Sequence, residues 1–311
     1  MADYFNAQEL HQMVEENRRV AHYGEVASYI PELQHADPER LGITVVPLNG
    51  KPITAGDCHL DFSLQSISKV ISLMVALSDN GFERVFSKVG MEPSGEPFNS
   101  ISKLETVENH IPLNPMINSG AIAVASLIKG ESVDLKFEKV LEFIKKIAKN
   151  QGITINDKVY RSEMETGDRN RAVAYFMKST GIIEGNVDEA LDLYFRLCSI
   201  SVTCHDLAQM AAFLANDGIV PGTHDQLIDV EIIKAVNTIM FTAGMYNESG
   251  ESAMRTGIPA KSGVSGGILA VAPGKMGIGI IGPAINKKGN SIAGLRLLSN
   301  FSRRFGLHLL A

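Results

Sequence analysis

The chain has no tryptophan and only three cysteines in 311 residues, Cys58, Cys198 and Cys204. An odd number of thiols without C-x-x-C spacing argues against a disulfide framework and fits reduced thiols in a cytosol. No basic run of five or more residues occurs, and the net charge is −6. Nucleic acids and anionic membranes are gripped by Lys/Arg clusters, so neither is an expected partner. No segment approaches the roughly 18 apolar residues of a membrane span. The N-terminal stretch MADYFNAQELHQMVEENRR carries acids where a signal peptide needs an apolar core, which points to a cytoplasmic protein. The eight histidines show no H-x-H or H-E-x-x-H spacing and do not cluster with the cysteines, so neither a metal nor a cofactor is expected. Internal repeats, low-complexity tracts and linkers are also missing.

What is present is a composition of 45% hydrophobic and 21% charged residues, that of a globular protein with one large domain or two lobes. Residues 8–22 have helical spacing. GITVVPLNGKPIT reads as two strands around Asn49-Gly50, a strong hairpin signal. HLDFSLQS alternates like a third strand and leads into SISKVISLMVALSDNG, a helix expected to stop at Asn80-Gly81. From there to about residue 243 the pattern is mostly helical. IPAKSG, GGILAVA and KMGIGIIGP then read as strands and SIAGLRLLSNFSRRF as a closing helix. Strands at both ends and helices between predict an α/β chain of the α+β type, an antiparallel sheet built from both termini with an inserted helical lobe. The expected division is 1–65 plus 205–311 for the sheet domain and 66–204 for the helical domain, with the active site between them.

The chemistry-bearing motif is S-x-x-K at Ser66 to Lys69, in FSLQSISKV. It occurs three times in the chain, so spacing alone is weak. Ser100 to Lys103 follows a Pro/Gly-rich stretch without a sustained helix. Ser126 to Lys129 ends a helix, where Lys129 before Gly130 suits the C-terminal dipole. Only Ser66 and Lys69 stand where a strand hands over to an apolar helix. Residues three apart on a helix are neighbours, so Lys69 can reach the Ser66 hydroxyl. The helix N-terminus offers N–H groups to an oxyanion. A lysine base must be neutral, and the apolar VISLMVAL makes desolvation available to lower its pKa. The bland alternative is an ordinary polar helix start.

A second element bears on that choice. Lys261-Ser262-Gly263, in KSGVSGG, is the only K-[ST]-G and lies on an expected strand. In serine acyl-transfer enzymes with S-x-x-K such a strand lines the site, supplies an oxyanion N–H and brings a second positive charge that would depress the Lys69 pKa. The two elements together resemble the serine β-lactamase/transpeptidase-like fold. The S-x-N or Y-x-N relay of penicillin-recognising enzymes is missing, which leaves the proton relay to a tyrosine, with Tyr29 and Tyr246 as candidates. Gly277 to Gly282 satisfies G-x-G-x-x-G, but Pro283 follows and no βαβ unit surrounds it, so it is expected to be a closely packed strand.

GEVASYIPEL, FSLQSISKV, PLNPMINSGAI, SEMETGDRNRAVAYFM, DLYFRLCSI, FTAGMYNESGE and PAKSGVSGGI together resemble the serine-dependent glutaminase family, in order over residues 24–298. The likeness is to the compact bacterial form. It implies hydrolysis of L-glutamine to L-glutamate and ammonia on a β-lactamase-like fold, by a homodimer or homotetramer. Ser66 would be the nucleophile and Lys69 its base. The amides of Ser66 and Val264 would form the oxyanion hole, and Tyr29 and Tyr246 would relay protons. Asn118, Glu163, Asn170 and Tyr194 would hold the amino-acid end of the substrate, with Gln65 supporting the pocket and Lys261, Ser262 and Gly263 lining it. Without the resemblance, Glu163 reads as a first-turn acid, Asn118 as a helix-start residue, Asn170 as surface and Tyr194 as core.

Overall fold

The computed structural model describes residues 6–97 and 100–310. The strands are β1 (Gly42–Pro47), β2 (Ile53–Gly56), β3 (Phe62–Ser63), β4 (Thr154–Ile155), β5 (Ile200–Val202), β6 (Ala260–Ser262), β7 (Gly267–Ala272) and β8 (Met276–Ile281). The helices before the midpoint are α1 (Ala7–Arg18), α2 (Ser68–Phe86), α3 (Ser102–Thr106), α4 (Asn118–Leu127) and α5 (Val133–Ala148). After them come α6 (Asp157–Thr166), α7 (Asp168–Ser179), α8 (Val187–Cys198), α9 (Cys204–Ala215), α10 (Val230–Ala243), α11 (Ser249–Thr256) and α12 (Ile292–Arg304).

The main sheet has the order β2-β1-β8-β7-β6, antiparallel throughout, so strands from both ends of the chain interleave. Period-two alternation assigns its faces. Ile43, Val45, Ile268, Ala270, Ile278 and Ile280 turn toward α1 and α12, where Leu10, Val14, Leu297 and Phe301 complete a buried layer. The opposite face meets α9, and there glycine is a steric requirement. A Cβ on Gly277 would lie 2.0 Å from the Ala212 nitrogen, and one on Gly279 would lie 2.2 Å from the Cys204 carbonyl oxygen. The G-x-G-x-x-G pattern therefore records a helix seated on a strand. The N-terminus of α9 is fixed by reciprocal Thr203 and Asp206 hydrogen bonds.

Two local expectations change. HLDFSLQS contributes only the two-residue β3, which pairs with β5 in a separate three-stranded sheet, β3-β5-β4, not with the hairpin. The helix after Ser66 breaks at Gly81, whose φ of 77° is left-handed, but a further helical turn runs on to Phe86. Of the other two S-x-x-K matches, Ser126 lies in α4, while Lys129 lies beyond its end and donates to the Asp79 carbonyl at 2.5 Å. The side chain of Lys103 lies outside the described part. Among the described residues no helix is long and apolar enough to cross a membrane.

Gly277→Ala is expected to destabilise the fold by about 3 kcal/mol or more, because backbone atoms of α9 must move to admit one methyl group. Urea unfolding with an unchanged m-value measures it, and a midpoint equal to wild type would contradict this packing.

Candidate active site

Ser66 sits in a single 3-10 turn, Gln65–Ile67, that opens directly into α2. Gln65 adopts φ 48°, a left-handed conformation that costs a residue with a side chain on the order of 1–3 kcal/mol. The turn is held from several sides. The Leu64 amide donates to Ile200 O at 2.8 Å, and Ser68 Oγ donates to Gln65 O at 2.7 Å. From the other end of the chain, Ser265 Oγ donates to Ser63 O at 2.7 Å. A Cβ on Gly263 would lie 2.7 Å from Leu64 O, so the K-S-G strand lies directly on the serine turn. The loop joining β6 to β7 is closed by Gly263 N to Gly267 O and Gly266 N to Gly263 O, both 2.9 Å, which leaves the Val264 amide outside these bonds.

Lys69 lies one helical turn beyond Ser66, 1% exposed. Its Nζ donates to Asn118 Oδ1 at 2.7 Å and to Met116 O at 3.3 Å. Met116 O arrives there because the loop before α4 folds over the helix start, where a Cβ on Gly120 would lie 1.9 Å from Asn114 O. Among the described residues no carboxylate pairs with Lys69. Burial lowers its pKa to about 8, against smaller raising effects of Cys198 and Glu163. Asn118 caps nothing at the start of α4. Its Nδ2 donates onward to Asn170 Oδ1 at 3.0 Å.

Tyr246 lies near enough to Ser66 for that hydroxyl to favour its ionised form, the smaller of two opposed influences on the phenol. Burial raises the Tyr246 pKa despite that influence, so the group is a phenol at neutral pH. Tyr246 has φ 54°, a second strained residue. Lys261 lies over its ring, Nζ 4.4 Å from the centroid, and donates to Gly244 O at 3.0 Å and Ser262 O at 2.7 Å. Burial and then the Lys69 charge press the Lys261 pKa well below its usual value. Desolvation is the largest cause lowering Lys69, and repulsion between the two lysine charges opposes holding both protons. Ser262 is buried on β6 beside Lys261.

Glu163 is 6% exposed and sits in the second half of α6, not in a first turn; Asp157 holds that place. Burial raises its carboxyl to about 7, partly offset by a hydrogen bond from Gln65 and by the Lys69 charge. Tyr194 is buried on α8, with Cys198 one turn further along the same face, and burial first, then the Cys198 charge, holds its phenol well above the usual pKa. Burial holds that Cys198 thiol up at about 12. Tyr29 has 53% of its surface exposed, yet its hydroxyl end lies among Tyr246, Glu163 and Cys198, and burial there raises its pKa well above the usual value. Its segment is tied to α6 where the Glu32 amide donates to Ser162 Oγ at 3.4 Å.

Sequence reasoning did not find Met116 O or Cys198. The first is a backbone atom without a residue signal. The second was legible only as a position four residues after Tyr194 on one helix face. Among the described residues no group of three or more His, Cys, Asp or Glu is placed to hold a metal. A cavity of about 390 Å³ lies beside the site, with Ser63, Val264 and Ser265 on its inner wall and Glu32, Asp37 and Arg40 at its rim. Ser66 and Lys69 do not line it, so we assign the site by the converging desolvated groups.

The family model for glutaminases matches residues 24–310. The chain belongs to the glutaminase family. It is 54% identical to a glutaminase of Clostridium tetani over 297 residues, 96% of this chain and 97% of that one. Glutaminase 2 of Clostridium perfringens is 53% identical over 300 residues, 96% of this chain and 98% of that one. A Bacillus subtilis glutaminase, solved as a covalent complex with 5-oxo-L-norleucine after reaction with 6-diazo-5-oxo-L-norleucine, superimposes with a TM-score of 0.89. That pair shares 40% identity over 97% of this chain and 99% of the other. The fold is accordingly the β-lactamase-like one that the S-x-x-K and K-S-G elements led us to expect, and the family is one of amidohydrolases acting on glutamine.

Gly263→Ala is expected to lower glutamine turnover by about 10²-fold, because the added methyl pushes the Val264 amide away from the serine turn. Steady-state kinetics beside a melting curve checks this, and full activity in a folded variant would contradict it.

Proposed function

We propose that this chain hydrolyses L-glutamine to L-glutamate and ammonia through an acyl-enzyme on Ser66, with Lys69 as the base. The observation that carries the reading is Lys69: a fully buried amine, one helical turn from a serine, with a pKa near 8 and no paired carboxylate among the described residues. A structural lysine so placed would be a net loss to stability, whereas a base needs that desolvation. The covalent complex of the Bacillus relative supports a covalent intermediate here.

In the proposed reaction Ser66 Oγ attacks the side-chain amide carbon and its proton passes to the Lys69 amine. The carbonyl oxygen becomes an oxyanion held by the amides of Ser66 and Val264. The C–N bond then breaks, and the leaving nitrogen takes the proton that Lys69 accepted, relayed through Tyr246 and Tyr29, which releases ammonia and frees the Lys69 amine. Water attacks the ester, gives a proton to the same base, and glutamate leaves with the Ser66 hydroxyl restored. The contact of Tyr246 with Ser66 supports a shared role, and its raised pKa suits a phenol that passes a proton without holding the charge.

Glu163 is the buried carboxylate of the proposed substrate pocket and would receive the α-ammonium group, with Gln65 beside it. Asn118, Asn170 and Tyr194 would receive the α-carboxylate by neutral donors, which adds no cation to compete for Glu163. Lys261, Ser262 and Gly263 support this pocket from β6. We further propose a sheet domain of 1–65 plus 205–311 and a helical domain of 66–204 with the site between them, a division supported by α9 lying on the sheet. A cytoplasmic homodimer or homotetramer with neither nucleic-acid nor membrane partners suits the charge of −6.

Ser66→Ala is expected to reduce ammonia release from L-glutamine on the order of 10³-fold or more, and an unchanged rate would sink the assignment. The pH profile supplies a second test. Lys69 must be neutral, so activity rises with pH through about 8; Glu163 must be ionised, so binding is lost as pH falls through about 7. Substrate ammonium keeps Glu163 ionised once bound. On log–log axes kcat/KM should therefore fall with a slope of about two below neutrality, and kcat with a slope of about one. A flat kcat profile between about pH 5 and 9 would exclude a lysine base.

A further inference from the structure

The strained turn that carries Tyr246 is braced by side chains outside the proposed reacting centre. Tyr246, Asn247 and Glu248 form a single 3-10 turn between α10 and α11. A tyrosine at φ 54° holds that conformation only where its surroundings over-determine it. Ser249 supplies one brace: its Oγ accepts from the Met245 amide at 3.0 Å and donates to Tyr246 O at 2.8 Å. The second brace comes from the segment before α12. Asn290 is fully buried, and its Nδ2 donates both to Met245 O at 3.1 Å and to Glu248 Oε2 at 2.5 Å. The same Glu248 oxygen accepts from Asn286 Nδ2 at 2.8 Å, while Glu248 Oε1 lies 3.4 Å from Lys288 Nζ. Asn286 Oδ1 in turn accepts from the Lys288 and Asn290 amides at 2.9 and 3.2 Å. Gly289, at φ 94°, lies against the Tyr246 ring, where a Cβ would come 3.2 Å from Cε2.

We infer that Glu248 is a positioning residue: through Asn286 and Asn290 it clamps the 286–290 segment onto the Met245–Tyr246 backbone and so aims the phenol at Ser66. The inference rests on the proposed role of Tyr246. The residue types fit the task. Asn290 Nδ2 faces two acceptors, which fixes the orientation of its amide, and a carboxylate oxygen can take two N–H donors at once. Removing the carboxylate leaves the Asn290 amide buried with one partner instead of two.

The test compares Glu248→Ala, Glu248→Gln, Tyr246→Phe and the Glu248→Ala/Tyr246→Phe double variant, with kcat and KM for L-glutamine and a melting curve for each. Glu248→Ala is expected to lower kcat about 10- to 100-fold with KM within about 3-fold of wild type. Glu248→Gln keeps an acceptor oxygen and restores most of that loss. In the Tyr246→Phe background, Glu248→Ala adds less than about a 2-fold change, because the group it positions is already gone. Asn286→Ala, at a half-buried position, gives the same pattern in smaller measure and carries the test if Glu248→Ala does not fold. Losses that multiply in the double variant, or wild-type kcat in Glu248→Ala while Tyr246→Phe is impaired, would overturn the inference. Wild-type kcat in Tyr246→Phe would instead overturn the role of Tyr246 itself.

Discussion

The turn that carries Ser66 and the turn that follows Lys261 touch at Gly263, with no room between them for a side chain. One turn belongs to the start of the helical region, the other to a strand from the far end of the chain. Ser265 hydrogen-bonds across the same seam to Ser63. Everything proposed for the oxyanion depends on this contact, because it brings the residue before Val264 directly onto the residue pair that precedes Ser66. Interleaving strands from both termini in one sheet is what makes the approach rigid. The glycines of β8 serve the same end, since they seat α9 on the sheet from which β6 extends.

Rigidity of that order permits strain. Gln65 and Tyr246 both hold left-handed backbones, one from each end of the chain. Neither conformation would persist in a loose loop. At Gln65 the support comes from β5 and Ser68, and at Tyr246 it comes from Ser249 and the Glu248–Asn290 clamp. The two strained residues lie next to the proposed nucleophile, and the backbone energy stored in the fold goes into the aim of side chains.

Legibility in the sequence followed periodicity. The sheet strands alternate and the helices repeat at their own spacing, so the order of elements and the inserted helical region were readable. β4 and β5, two and three residues long, are too short to show a period, and their pairing with β3 was not readable. The Ser66–Lys69 pair was readable because the two residues are one helical turn apart in the chain. Its partners were not: Asn118 is 49 positions from Lys69, and Met116 contributes only a carbonyl. Asn118, Glu163, Asn170 and Tyr194 entered through family resemblance, since each passes alone as ordinary packing or capping. Glu163 shows why: its single-residue reading as a first-turn acid misplaced it within α6, and burial, which gives it its chemistry, is a tertiary property.

The charges of the site are also a property of the assembled fold. Two lysines and one glutamate are sealed from water without a direct pair among them, and each moves toward its neutral form. Burial, and after it the Lys69 charge, lowers the Lys261 pKa well below its usual value. Lys69 keeps a value near 8 because Cys198 and, to a lesser extent, Glu163 offset its burial. That leaves the site close to two thresholds at once, a base beginning to be free and an acid beginning to be ionised. In the proposed pocket, a zwitterionic substrate would tip the second threshold by bringing an ammonium to Glu163. The same neutralisation would weaken the attraction that holds the Lys69 proton, so under the proposed roles substrate entry would move Lys69 toward the free amine. Binding and base activation would then be one electrostatic event, which a surface glutamate or a solvated lysine could not provide.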